Sequence, residues 1–275
     1  MSLTLGSRVT LNDGNKMPVL GLGMWQAGSG KETRKAVAYA LQIGYRLFDT
    51  AKLYGNERDL GVAVRESGIP REEIFITTKL WNNDHGYESA LRAFDKSRRE
   101  LGLETVDLYL VHWPVPGLRQ ESWKALLKIH DQALARSIGV SNYTIRHLEE
   151  LLPSSPIRPA VNQVEFHPFL YQKELLEFCT RQRIQLEAYS PLTRGHRLNH
   201  PVITQIGAKY ARTPAQVLIR WSLQHGLVVI PKSIRPDRIR ENAAVFDFEL
   251  KREDMERLDS LDESSRVAWN PEDLP

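Results

Sequence analysis

Leu47-Phe48-Asp49-Thr50-Ala51-Lys52-Leu53-Tyr54-Gly55-Asn56-Glu57 sets a carboxylate at the end of a short apolar run and a phenol five residues later, where Gly and Asn signal a turn. Two further apolar runs end in complementary groups. Ile74-Phe75-Ile76-Thr77-Thr78-Lys79 closes on a lysine, and Val106-Asp107-Leu108-Tyr109-Leu110-Val111-His112 on a histidine. As neighbouring parallel strands, these runs bring Asp, Tyr, Lys and His to one rim, a set that can protonate a carbonyl oxygen.

The same unit recurs outward from this stretch. Short β-rich runs at Val19–Gly23, Arg46–Asp49, Ile74–Lys79, Val106–His112, Ser137–Ser141, Ala160–Glu165, Gln185–Ser190 and Leu227–Lys232 alternate with longer amphipathic segments. Glu32–Ile43, Ser89–Leu101, Gln172–Arg183 and Thr213–His225 read as helices, the last opened by a Thr-Pro start signal. Strands alternating with helices predict a closed (β/α)8 barrel, a TIM barrel, with residues 1–275 as one domain. An open doubly wound sheet is the structural alternative. Two segments fall outside the repeat. Arg8–Met17, with Asp13-Gly14 at its turn, reads as an N-terminal β-hairpin able to close the barrel bottom. The short C-terminal tail 266–275, carrying Trp269, is long enough to fold over a rim.

Composition narrows the class. A hydrophobic fraction of 41% with 26% charged residues is that of a globular protein, and no apolar run nears the ~20 residues of a membrane span. The net charge of +3 is carried by scattered basic residues interleaved with acids, which argues against nucleic-acid or membrane partners. The start Met-Ser-Leu-Thr lacks a secretory pattern, and Cys179 is the sole cysteine, so a cytoplasmic location is expected. No metal site is expected. Gly21-Leu22-Gly23 lacks the third glycine of a dinucleotide fingerprint, and Gly28-Ser29-Gly30-Lys31-Glu32 has an acid where a phosphate loop needs Ser or Thr. Close backbone approach at a strand end is the better reading of Gly21 and Gly23.

The four rim groups divide the labour of acid catalysis. An isolated tyrosine, with a pKa near 10, is a poor proton donor near neutrality. A buried ammonium at Lys79 lowers that pKa, Asp49 keeps the ammonium charged, and His112 donates a hydrogen bond to the carbonyl. Taken singly, each has a structural reading: an ion pair, a loop tyrosine, a strand-end histidine. Together on consecutive strand ends, they read as a site.

These residues, with others in order along the chain, resemble the aldo-keto reductases from about Val9 to Asn270. Gly44-Tyr45-Arg46-Leu47-Phe48-Asp49-Thr50-Ala51 through Glu57 is similar to the family's first signature. Ile230-Pro231-Lys232-Ser233 with Arg238-Ile239-Arg240-Glu241-Asn242 is similar to its last. Ile138-Gly139-Val140-Ser141-Asn142, Asn162-Gln163 and Tyr189-Ser190-Pro191-Leu192 lie between them. The resemblance implies a barrel that binds NADPH extended across its rim, with Asp49, Tyr54, Lys79 and His112 catalytic. It further implies that Ser141, Asn142 and Gln163 hold the nicotinamide amide, that Tyr189 stacks on the ring, and that Gly23, Met24 and Trp25 border it. Ser190 and Leu192 would follow the pyrophosphate, and Lys232, Ser233, Arg238, Glu241 and Asn242 the adenosine end. NADPH preference over NADH is expected from guanidinium and ammonium groups meeting a ribose phosphate.

Trp25, Trp81, His112 and Trp113, at or just past strand ends, are expected to wall the substrate pocket. Leu80–His85 and His112–Pro116 are most similar to the bacterial 2,5-diketogluconate and methylglyoxal reductase branch. Short rim loops and a short tail then suggest an open site for small polar carbonyls such as methylglyoxal, keto-sugars and simple aldehydes, in a monomer. One departure is that Asp131-Gln132-Ala133-Leu134-Ala135-Arg136 replaces the family's usual Glu-Gly-Lys, which leaves the preceding helix end open. Two other classes compete. A cofactor-sensing regulatory barrel predicts binding without turnover, and an aldolase with Lys79 as Schiff-base lysine predicts borohydride trapping.

Overall fold

A computed structural model describes residues 3–274. Strands β1 (Arg8–Thr10) and β2 (Lys16–Pro18) pair antiparallel around a turn in which Gly14 takes φ +88°, a conformation that favours glycine. Eight parallel strands follow in sequence order: β3 (Leu22–Gly23), β4 (Leu47–Asp49), β5 (Phe75–Leu80), β6 (Val106–Val111), β7 (Ala135–Ser141), β8 (Val161–Glu165), β9 (Gln185–Tyr189) and β10 (Val228–Val229). Bridges Leu20↔Val229 and Gly23↔Lys232 join the last strand to the first, so the sheet closes on itself. The (β/α)8 expectation holds, and the open sheet does not.

The first and last strands are shorter than their apolar runs suggested, with two residues each in regular pairing. They meet at the seam, where the backbones approach closely. A Cβ on Gly23 would lie 2.8 Å from the Ile230 carbonyl oxygen, so the seam needs a glycine there. Helices α1 (Lys31–Gln42), α2 (Glu57–Glu66), α3 (Tyr87–Leu101), α4 (Arg119–Asp131), α5 (Ile145–Leu151), α6 (Lys173–Gln182), α7 (Pro201–Tyr210), α8 (Pro214–Gln224), α9 (Pro236–Ala243) and α10 (Arg252–Asp259) complete the chain. The Thr-Pro signal does open α8. Thr213 Oγ1 accepts from the Gln216 N–H at 3.3 Å while the Gln216 side chain accepts from the Thr213 N–H at 3.0 Å.

Period-two alternation sorts the strands between two cores. On β6, Leu108 and Leu110 join Met17, Leu47, Phe75, Val161 and Val228 inside the barrel, while Tyr109 and Val111 pack outward against the helix layer. Both faces are buried, which is why these strands read as unbroken apolar runs. The hairpin seals the lower end. Asn12 Nδ2 donates to Pro159 O at 2.9 Å and Asn15 Nδ2 to Arg136 O at 3.1 Å, both at strand entries. The helix end left open by the sequence is a Schellman turn, with Leu134 N bonding Ile129 O at 3.1 Å and Ala133 N bonding His130 O at 2.8 Å. Ala133 holds φ +56° at the position where glycine would be unstrained.

Candidate active site

The strand register lifts Asp49 and Lys79 to the upper end of β4 and β5, and the chain turns at once into loops that carry the rest. Thr50–Asn56 is fastened from below. The Thr50 hydroxyl donates to Asn56 Oδ1 at 2.7 Å, and Asn56 Nδ2 donates to Met24 O at 3.0 Å and Ala27 O at 3.2 Å. Gly55, at φ +66°, ends the 3₁₀ turn Lys52–Tyr54 and so aims Tyr54 back over the barrel. Lys52 ties this loop to the next through Asp84 at 2.5 Å.

Lys79 is fully buried, and its ammonium donates to Asp49 Oδ1 at 2.6 Å, to Thr50 O at 2.9 Å and to the Tyr54 hydroxyl at 3.3 Å. All three donors of the ammonium are thereby engaged. Burial works against its charge. The Asp49 carboxylate, through its charge and its hydrogen bond, outweighs that and holds the lysine pKa above its ordinary value. For Tyr54 the balance runs opposite to the sequence expectation. Burial pushes the phenol up to about 12, with Lys79 pulling downward and Asp49 upward. The phenol therefore holds its proton across the neutral range, because desolvating a phenolate costs more than one shared ammonium returns.

His112 is 7% exposed, and its ring meets Trp81 at 5.2 Å and Tyr54 at 5.8 Å, both edge-on. Burial, then the Lys79 charge, then His85 depress its pKa well below the usual histidine value, so the imidazole is neutral. Its carbonyl accepts from Asn142 Nδ2 at 2.9 Å.

These groups open into a cavity of ≈ 970 Å³ that runs along the rim from Trp25, Trp81 and Trp113 to Arg238 and Asn242. Asn142 and Ser190 bend into it with φ +63° and +49°, left-handed conformations in non-glycine residues that re-aim the chain at two strand ends. Tyr189 donates its hydroxyl to Asn142 Oδ1 at 2.8 Å, and Ser141 Oγ donates to Gln163 O at 2.9 Å. Gly23, Trp25, Ser141, Asn142, Gln163, Tyr189, Ser190, Leu192, Lys232, Ser233, Arg238, Glu241 and Asn242 all line this one space, as do Asp49, Tyr54, Trp81, His112 and Trp113. Lys79 lies behind them. Met24 does not line the cavity. Its side chain is buried in the outer core while its backbone N–H bonds Asp49 O at 2.9 Å. A thioether at a strand end packs as readily as it faces a ligand, and sequence could not separate the two.

Several cavity residues escaped sequence reasoning. Arg194 and Arg235 add basic groups near Lys232 and Arg238. The tail 266–274 crosses the rim instead of leaving it open. Glu165 accepts from the N–H groups of Val267 at 2.7 Å and Ala268 at 3.0 Å, and Leu274 O is held by His147 at 2.8 Å and Arg146 at 3.0 Å. Trp269 then leans on Trp113 and Trp81, with ring centroids 5.5 and 6.3 Å apart. Glu187, fully buried within the barrel, was also missed. Its signal is faint: a charged residue at an inward position of a strand.

The Aldo/keto reductase family profile matches residues 19–263. The chain belongs to that family. This reductase is 50% identical over 274 residues to "Glyoxal reductase" of Bacillus subtilis, covering 100% of this chain and 99% of the relative. A crystal structure of an aldo/keto reductase from Brucella melitensis superposes with TM-score 0.90 at 47% identity, covering 93% of this chain and 99% of that one. A mutant of Gox0644 crystallised in complex with NADPH superposes with TM-score 0.92 at 42% identity, covering 97% of each chain. The reductase is thus an oxidoreductase of carbonyl chemistry with a (β/α)8 fold.

Proposed function

We propose that this reductase uses NADPH to reduce aldehyde and ketone groups of small carbonyl compounds, α-dicarbonyls first among them, with Tyr54 as the proton donor. The observation that carries the reading is the Lys79 ammonium held between Asp49 Oδ1 at 2.6 Å and the Tyr54 hydroxyl at 3.3 Å, beside a cavity that continues into a basic end. The donor set fits a dinucleotide phosphate. Amide and hydroxyl groups at Ser141, Asn142 and Gln163 suit a carboxamide, the Tyr189 ring suits stacking, and Lys232, Ser233, Arg235 and Arg238 suit phosphate oxygens.

When bound, the reduced nicotinamide supplies the hydride. The protein supplies the rest. The neutral His112 ring and the Tyr54 hydroxyl flank the place for a carbonyl oxygen, His112 donating a hydrogen bond and Tyr54 giving up its proton as charge grows on that oxygen. Lys79 answers the negative charge that proton loss leaves on Tyr54, and Asp49 keeps Lys79 charged. Trp25, Trp81, Trp113 and Trp269 wall the cavity with flat apolar rings, which suits flat, reactive carbonyls.

The curated relative named for glyoxal reduction supports the α-dicarbonyl assignment, and the NADPH-bound neighbour supports the cofactor. The enzyme is taken to work as a cytoplasmic monomer of one barrel domain, which size-exclusion chromatography and fractionation test. The decisive assay follows NADPH absorbance with methylglyoxal, glyoxal, 2,5-diketogluconate and an aromatic aldehyde, beside NADH as the alternative donor. No turnover with any of them, or equal efficiency with NADH that Arg238→Ala leaves unchanged, overturns the reading in its substrate or its cofactor part.

A further inference from the structure

Below the rim, the barrel holds a second carboxyl that the proton chemistry leaves unused. Glu187 on β9 is the register partner of Gln163 on β8 and is fully buried. One atom joins it to the site. Gln163 Nε2 donates to Asp49 Oδ2 at 2.7 Å and to Glu187 Oε2 at 2.8 Å. Both N–H bonds of that amide are thus spent inside the barrel. The reverse orientation would press the amide oxygen against the Asp49 carboxylate oxygen. The Gln163 carbonyl oxygen is therefore the end left for the cavity that the side chain lines.

Charge counting decides the state of Glu187. The titratable groups around it are Asp49 from β4, Lys79 from β5 and Tyr54 from the loop after β4, while its register neighbour on β10, Val228, is apolar. Lys79 is the one cation among them, and Asp49 already neutralises it. An ionised Glu187 would be a buried charge without a counter-ion, and its Oε1 receives no hydrogen bond. We propose that Glu187 is a positioning residue. As a neutral carboxylic acid it clamps, with Asp49, the Gln163 amide nitrogen, so that Gln163 offers only an acceptor to the nicotinamide carboxamide. Burial first, and the Asp49 charge next, push its pKa well above the carboxylate range, in the same direction. The inference rests on the reading that the cavity binds NADPH.

The test measures NADPH affinity by quenching of intrinsic tryptophan fluorescence, without turnover. Glu187→Leu removes the acceptor and is expected to weaken binding about tenfold, while Glu187→Gln, which keeps one, restores it to within about twofold. In a Gln163→Ala background the leucine substitution should cause no further loss, because the clamp then has nothing to hold. The wild-type minus Glu187→Gln infrared difference spectrum at neutral pH should contain the C=O band of a protonated carboxyl. If the leucine variant does not fold, melting of the glutamine variant still reports. A raised carboxyl pKa means that the folded state keeps a proton the unfolded chain has released, so wild-type stability falls as pH rises from about 5 towards 8, and the lead of the glutamine variant should grow over that range. Wild-type affinity in a folded leucine variant, full additivity with Gln163→Ala, a missing carboxyl band or a constant lead would each overturn the clamp. Failure of the wild type itself to bind NADPH would instead overturn the cofactor reading beneath it.

Discussion

Asp49 and Asp107 are equally buried, each 2% exposed, and each grips a cation, yet they occupy opposite ends of the barrel and serve different ends. At the lower end, Asp107 takes Arg71 at 2.5 Å, Arg136 at 3.4 Å and the Ile76 N–H at 2.9 Å. Arg71 also donates to the backbone carbonyls of Ile74 and Thr105. The cleft beside this cluster is only ≈ 40 Å³. At the upper end, the Asp49 partner spends its third donor on a tyrosine hydroxyl facing ≈ 970 Å³ of open space. In the proposed reading, an ion pair serves chemistry when its cation has a donor left for a group that can meet a ligand. Where the cation turns its other bonds to backbone carbonyls at a closed end of the barrel, it remains a staple.

The sharpest break in this contrast is Tyr54→Phe. It leaves the Lys79–Asp49 pair intact and removes the proton, so kcat should fall about 10³-fold while NADPH still quenches tryptophan fluorescence. Retained turnover would sink the proton-donor role. Next, the two aspartates should part ways. Asp49→Asn is expected to lower kcat about 10²-fold. Asp107→Ala should leave kcat and KM near wild type and lower the unfolding free energy by about 2–3 kcal/mol in urea titrations, for loss of one partner of a largely buried pair. Matching kinetic losses in both would erase the distinction.

The pH profile probes the upper end alone. The His112 pKa lies well below the ordinary value, so the imidazole stays neutral, and kcat/KM for reduction should show no acid-side break between about pH 7.5 and 5.5. A break near the ordinary histidine pKa would mean that the ring titrates in that range. The smallest effect lies off both ends. Ala133→Gly should raise stability by up to about 1 kcal/mol, since alanine there holds φ +56°. An unchanged or lower melting temperature would count against strain at that turn.

Most of the site was legible because barrel chemistry sits where strands end, and strand ends are local. Asp49, Lys79 and His112 each close an apolar run, and the Gly55-Asn56 turn after Tyr54 announces its loop. The sign of the Tyr54 shift was not legible. It depends on how completely the phenol is desolvated, and that comes from the packing of Trp25 and His112 around it. The tail was visible as a segment, but nothing in it names Glu165, roughly a hundred residues earlier, as its anchor.

Taken alone, the amino-acid sequence determined the alternating strands and helices, the closing hairpin and the four groups at the rim. Each of these is written in spacing over a few residues, through side-chain period and turn chemistry. Tertiary structure alone decided which carboxyl meets which amide. Asp49 reaches Gln163 across 114 residues and Gln163 reaches Glu187 across 24, contacts set by strand register and barrel closure. Register is a property of the closed sheet, and the local pattern of any one strand does not contain it.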